Sequence, residues 1–295
     1  MSLNLSPMEL NAMLQCLILA DIHGNLAALD AILSTPQARE CSRIISLGDH
    51  LNYGPWPREV QSRLSSLGTL FLLGNHEERM RHLQDPRFSG YNWNLLKWSA
   101  EQAGPLPPMV TDLQLGSVLM THGTPGNPYH LLLEEKDVAA VLDALPGDIS
   151  LLLSGHNHAP WTVLHGGRTA VNPGSVGLCE NRTGCIAPFA VLTLTAGQSR
   201  VRVYGAPYDP RHCLDRYLQT DLPAIAPELS RAVWEIMRYG TYQLLPMLVS
   251  HIQSVARERG LPSGDAAAWA AGDATFPWRT PGSSREFWDR AARQG

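Results

Sequence analysis

Short apolar runs that end, one after another, in Gly, Asp, Asn or His constrain this chain more than any other feature. Gln15 to Ala20 runs into Asp21-Ile22-His23-Gly24-Asn25, and Leu26, Ala27, Leu29, Ile32 and Leu33 follow, which reads as strand, sharp loop and helix. The pattern repeats. Ile44 to Leu47 ends in Gly48-Asp49, Arg58 to Leu67 is helical, Leu70 to Leu73 ends in Gly74-Asn75-His76, and another helix follows. Polar groups therefore collect just past strand ends, where the loops of an α/β sheet converge and the sheet holds them rigid.

From Val110 onward strands arrive with little helix between them: Val118 to Thr121, Ser150 to Leu153, Trp161 to Leu164, Thr169 to Val171, Phe189 to Leu194 and Val201 to Tyr204. Two sheets packed face to face with helices outside accommodate this change better than one doubly wound sheet. After about Pro207 the character turns helical, with Leu229, Val233, Ile236 and Met237, then Leu245, Leu248, Ile252 and Val255, at spacings of three and four. Residues 1–207 are thus expected to form one α/β domain and 208–295 a helical extension, docked on the sandwich or on a second subunit. The stretch from Leu261 to Gly282 reads as loop-rich, and Ser283-x-x-Glu286 as the capping box of a last short helix.

Hydrophobic residues make up 44% of the 295 and charged residues 17%, enough apolar material for an ordinary core. Lys+Arg 23 against Asp+Glu 27 gives −4, without the basic excess that collects nucleic-acid or membrane phosphates. No run approaches the roughly 20 apolar residues that span a bilayer, and Met1 to Asn11 lacks the marks of a secretory signal, so the cytoplasm is the expected compartment. Cys16, Cys41, Cys179, Cys185 and Cys213 lack CxxC spacing and read as reduced packing residues.

Each of the polar loops alone is ordinary turn chemistry. Together they assemble a ligand set. Mixed oxygen and imidazole donors suit first-row divalent metals, and a carboxylate can bridge two ions with one oxygen each. With Asp49 bridging, Asp21, His23 and His158 can complete one sphere and Asn75, His122 and His156 the other, leaving open positions that make such a site catalytic.

The order and spacing resemble the calcineurin-like metallophosphoesterases, and more narrowly their small prokaryotic branch. The resemblance runs from about residue 15 to 205. It rests on Asp21-x-His23, Gly48-Asp49 with Tyr53-Gly54-Pro55, Gly74-Asn75-His76-Glu77, Thr121-His122-Gly123, Gly155-His156-x-His158 and Asn172-Pro173-Gly174-Ser175-Val176-Gly177. It implies a four-layer α/β/β/α sandwich, supports the ligand set residue by residue, and gives His76 the task of stabilising or protonating the departing oxygen. Residues 208–295 lie outside it. Protein Ser/Thr phosphatases carry an Asp three residues after the bridging Asp, followed by Arg-Gly, where this chain has Asn52-Tyr53-Gly54, so protein phosphatase activity is disfavoured.

The expected reaction is two-metal hydrolysis of a small phosphodiester, a cyclic nucleotide or dinucleoside polyphosphate, by a hydroxide held between the ions. Mn or Fe is the expected metal, with Zn or Ni able to replace them. A phosphomonoesterase is the nearest alternative. A retired enzyme serving as a protein-binding scaffold, as in the retromer subunit that resembles this fold, is the alternative of another kind; such proteins tend to lose the His at the place of His76. A nucleic-acid polymer is disfavoured by the scarcity of Lys, which occurs only at Lys97 and Lys136. Asn25 reads as a helix cap or a phosphate contact, and Arg182 as solvated surface or a fork for phosphate. His50 and His130 fit no ligand slot. Tyr53, Trp56, Tyr91 and Trp93 fall near the site loops as packing residues or as faces for a base.

Overall fold

Alternation within the first apolar run decides the layering. In β1 (Leu14–Leu19), Cys16 and Ile18 turn to one side and Leu17 and Leu19 to the other, because successive strand side chains point to opposite faces. All are fully buried, so the strand lies between two covering layers. The computed structural model, which describes residues 13–278 apart from 182 and 183, supplies both.

β2 (Arg43–Ser46), β3 (Leu70–Leu72) and β4 (Met109–Val110) extend β1 in parallel. A second sheet is built from β5 (Asp112–Leu115), β6 (Val118–Thr121), β7 (Leu151–Ser154), β8 (Trp161–His165) and β9 (Arg168–Asn172), in the order β5-β6-β7-β9-β8. The chain then returns as the hairpin β10 (Ile186–Thr195) and β11 (Gln198–Pro207), completing a six-stranded first sheet ordered β11-β10-β1-β2-β3-β4. Cys16, Ile18, Ile45 and Leu72 face Val118, Met120, Leu151 and Leu153 between the sheets. On the outer side of the first sheet, α1 (Leu26–Leu33) and α2 (Pro57–Ser66) bury Leu29, Ile32, Val60 and Leu64 against Leu17 and Leu19. α3 (Asn75–Met80) and α4 (Asn94–Ala103) follow β3, and α5 (Glu135–Ala144) packs Val138 and Leu142 on Leu152 and Ala170 of the second sheet. The result is an α/β/β/α sandwich.

α5 adds a helix to a second half that reads as mainly strands. Its Val138, Val141, Leu142 and Leu145 recur at helical spacing, and Glu134 with Asp137 closes a capping box at its start. The short β4 and β5 were likewise too brief to stand out from the loop around them.

Beyond β11 come α6 (Arg211–Tyr217), α7 (Pro227–Tyr239), α8 (Leu244–Arg259) and α9 (Ala266–Thr275). The apolar stripes of α7 and α8 are covered within the chain, by Leu95, Leu178, Tyr217 and Trp269 among others. α9 corrects the loop-rich reading of that stretch. Its large apolar residue is Trp269, so it carries little stripe; it is held instead by close approach, since a Cβ at Gly272 would run into Ile252 of α8. The capping box at Ser283 lies outside the described residues. Among those described, no helix is long and apolar enough to cross a membrane.

Candidate metal centre

β1, β2 and β3 of one sheet and β6 and β7 of the other end at the same edge, and each hands its polar residues to a common space. The loops are laced there by their backbones: Asp21 N–H donates to the Gly48 carbonyl (3.1 Å), His23 N–H to Asp49 (3.0 Å) and Gly155 N–H to His122 (2.8 Å). Ser175 Oγ donates to the Asp21 carbonyl (2.7 Å) and the Asn172 amide to that of Gly155 (2.7 Å), which explains two polar residues of the Asn172–Gly177 turn that sequence reasoning left without a role.

Asp21, His23, Asp49, His156 and His158 all adopt left-handed backbone, with φ between 48° and 65°. Asp and His tolerate this region better than most residues, yet each instance stores of order 1–3 kcal/mol and persists only where the surroundings enforce it. Concentration of that strain on the polar residues of one edge marks it as functional. Gly74 is enforced in another way: a Cβ there would collide with the Asp49 side chain and backbone.

The expected ligands come together in two groups. Asp21, His23 and His158 form one; Asp49, His122 and His156 form the other, with the Asn75 amide beside them. Asp49 lies between the two. Its Oδ2 lies 3.3 Å from His122 Nε2 and 3.9 Å from His23 Nε2, whereas Oδ1 accepts the His76 N–H at 2.9 Å.

Tautomers reveal what this space is built for. Nδ1 of His23, His122 and His158 donates to the carbonyls of Leu51 (3.0 Å), Leu47 (2.9 Å) and Leu178 (2.8 Å). Each Nε2 in a neutral ring is then a lone pair, and all of them point inward. His23 Nε2 faces His158 Nε2 at 3.2 Å, and His158 Nε2 faces Asp21 Oδ1 at 3.6 Å. His156 is oriented the other way, Nε2 toward the Tyr129 carbonyl at 3.3 Å, leaving Nδ1 for the cluster. Acceptors converging on acceptors repel unless a cation stands between them, so the donor set fits a pair of metal ions.

Asn75 responds to the same demand. With its oxygen inward, Oδ1 lies 3.0 Å from His122 Nε2, as a ligand requires. Turned over, its NH₂ reaches Asp49 Oδ2 (2.9 Å), His122 Nε2 (3.0 Å) and His156 Nδ1 (3.1 Å), and its oxygen accepts from Arg79. The amide nitrogen then takes the place of a cation.

Burial drives His23 and His156 down to about 4 and holds His76 and His158 well below the usual imidazole value, which keeps these rings in the neutral form a metal needs. Burial also pushes Asp21 up to about 7. Asp49 and His122 go the other way. Despite burial, His122 and His76 hold the Asp49 carboxyl well below its ordinary range, and Asp49 lifts His122 to about 9. A proton is the smallest cation that pair can share.

His76 sits at the edge of both groups, Nε2 3.7 Å from Asp49 Oδ2. The Asn52 amide meets its Nδ1 at 2.8 Å and the Tyr53 ring stands edge-on to it, 5.0 Å between centroids. Glu77, assigned no role in the sequence, is fully buried and accepts the backbone N–H of Asp49 (2.9 Å) and Leu51 (3.0 Å), fixing the bridging loop. Tyr242, between α7 and α8, stacks on His158 with centroids 3.6 Å apart. Nothing local in the sequence signals that contact.

His50 is buried against Phe71 and Glu77, and His130 is exposed near Thr124. Tyr91 donates to Glu228 (2.5 Å), Trp56 packs in the core, and Trp93 stands against Phe88. Arg182 lies outside the described residues. Asn25 caps α1: Oδ1 accepts the Ala28 N–H at 3.0 Å, and its NH₂ reaches the Gly177 carbonyl (3.3 Å) and Tyr208 hydroxyl (3.4 Å). Asn25→Ala is therefore expected to lower stability by about 1–2 kcal/mol, read from urea unfolding, with KM unchanged; a raised KM in a fully stable variant would restore the phosphate contact.

A sequence model described as the calcineurin-like phosphoesterase superfamily domain matches residues 14–197. An uncharacterized protein of Methanocaldococcus jannaschii is 26% identical over 201 residues, covering 65% of this chain and 79% of that protein. The crystal structure of a metallophosphoesterase from Sphaerobacter thermophilus superposes with a TM-score of 0.64 at 23% identity, covering 78% of this chain and 100% of that one. A hypothetical protein from Pyrococcus horikoshii gives a TM-score of 0.62 at 20% identity, over 77% of this chain and 98% of that one. At those identities the two structures speak to the fold.

Proposed function

Because the chain belongs to the calcineurin-like phosphoesterase superfamily, we propose that it is a metal-dependent hydrolase of small phosphodiesters, with nucleotides as the substrate class. One observation carries the reading: two groups of inward-facing donors, Asp21, His23 and His158 and Asn75, His122 and His156, lie side by side, with Asp49 Oδ2 facing His23 of one and His122 of the other. When bound there, two Mn or Fe ions would lower the pKa of a water toward about 7 and offset charge on the phosphate oxygens.

The remaining work falls to the protein. The backbone carbonyls of Leu47, Leu51 and Leu178 fix which nitrogen each imidazole presents, and Glu77 fixes the loop that carries Asp49. His76 holds a proton on Nε2 when its Nδ1 accepts from Asn52, and Nε2 lies beside the centre, 3.7 Å from Asp49 Oδ2, where it could donate a hydrogen bond to a leaving oxygen. The rings of Tyr53 and Tyr242 cover His23 and His158, limiting the water that reaches those ligands. Residues 1–207 then form the catalytic unit, and the helical extension supplies one wall.

The test is hydrolysis of bis-p-nitrophenyl phosphate after chelation and reloading with Mn, Fe, Zn or Ni in turn. No hydrolysis by the chelated protein and recovery with at least one metal are expected. Full loading with two ions and no turnover in any metal would favour the scaffold reading, and faster cleavage of p-nitrophenyl phosphate a monoesterase.

A further inference from the structure

Arg79 lies one helical turn beyond Asn75 on α3 and has no part in the ligand set. Among the described residues it forms no ion pair: neighbouring Glu78 is taken by Arg81 (3.5 Å) and His82 (3.2 Å). A half-buried guanidinium without a carboxylate is costly unless another acceptor reaches it. Its faces are occupied. The guanidinium carbon lies 5.0 Å from the Tyr129 ring centroid and 5.9 Å from that of Trp93, so aromatic surfaces hold the plane and its N–H edges remain for acceptors.

The acceptor at hand is the Asn75 oxygen, and only while that amide is turned over. Ligation of a metal requires the oxygen inward, which brings the amide NH₂ to Arg79, donor against donor. Loading the centre therefore removes the arginine's acceptor and leaves a positive fork at its edge.

Resting on the hydrolase reading above, we propose that in the metal-loaded protein Arg79 binds the anionic oxygens of the substrate phosphate, held flat by Tyr129 and Trp93. It is a substrate-binding residue that no ligand-spacing argument finds, and Tyr129 links it to the centre a second time, because the same residue's carbonyl orients His156. A two-point bond from guanidinium to phosphate oxygens, with the bound charge offset at the same moment, strengthens phosphate binding roughly 10- to 100-fold.

Titration of inorganic phosphate into Mn-loaded protein by calorimetry, with metal content measured on the same samples, tests this for wild type, Arg79→Gln and Arg79→Lys. The expected result is unchanged metal content, a phosphate Kd raised roughly 10- to 100-fold in Arg79→Gln, and an intermediate Kd in Arg79→Lys, which keeps the charge and loses the fork. KM for bis-p-nitrophenyl phosphate should rise more than kcat falls. Equal phosphate affinity in wild type and Arg79→Gln overturns the proposal and leaves the hydrolase reading intact. Loss of metal from both folded variants also overturns it, by making Arg79 a prop for Asn75. Failure of loaded wild type to bind phosphate defeats both readings. Melting curves identify a misfolded Arg79→Gln, in which case Arg79→Lys alone decides, by a weakened or an unchanged phosphate Kd.

Discussion

Asp49→Asn is expected to abolish paired metal binding and to lower phosphodiester turnover to less than about 1% of wild type. Substituting groups that merely orient a ligand already costs 10- to 100-fold in affinity or activity, and Asp49 Oδ2 lies within reach of His23 in one half of the centre and His122 in the other. An Asn keeps the volume but replaces a shared anionic oxygen with a neutral carbonyl or an NH₂ donor. Either choice leaves His23, His122 and His158 aiming lone pairs at a space with too little negative charge to retain two cations. The same atoms brace the start of α3, since Oδ1 accepts from His76 N–H, so a modest fall in stability accompanies the loss. Elemental analysis after gel filtration, beside kinetics at saturating metal, checks this. Two ions retained with normal turnover would remove Asp49 from its bridging role.

His76→Ala separates metal binding from chemistry. His76 donates no expected ligand atom, and Asn52 and Tyr53 hold its ring at the rim of the centre. Metal content should stay as in wild type while kcat falls about 10²- to 10⁴-fold, the range typical of a lost proton donor. The deficit should shrink for p-nitrophenolate, which leaves without help, and grow for an alkyl leaving group. A merely structural role would slow both substrates alike. Equal activity with an alkyl ester would take the proton-donor task away from His76.

The two halves of the molecule were unequally legible in the sequence. Ligand-bearing loops announce themselves because a strand end and a His, Asp or Asn must be adjacent in the chain to be adjacent in space; Asp21 follows an apolar run directly, and Asp49, Asn75 and His122 follow one after a single Gly or Thr. Asn25 could not be resolved that way, since a cap and a phosphate contact call for the same side chain, and only the Ala28 and Gly177 bonds distinguish them. Glu77 was visible as a letter beside His76, but its pairing with two backbone N–H groups across the loop has no periodicity to read. α9 lacked a stripe because Gly272 packs by having no side chain. Tyr242 is the extreme case, a contact set by how separate helices dock.

That ring on His158 fixes an order of events during synthesis. Translation delivers every ligand-bearing loop before residue 242 leaves the ribosome, so the nascent chain has its ion-binding groups while the roof over His158 is still missing. The ring that covers His158 is therefore the last of the site's side chains to be synthesised.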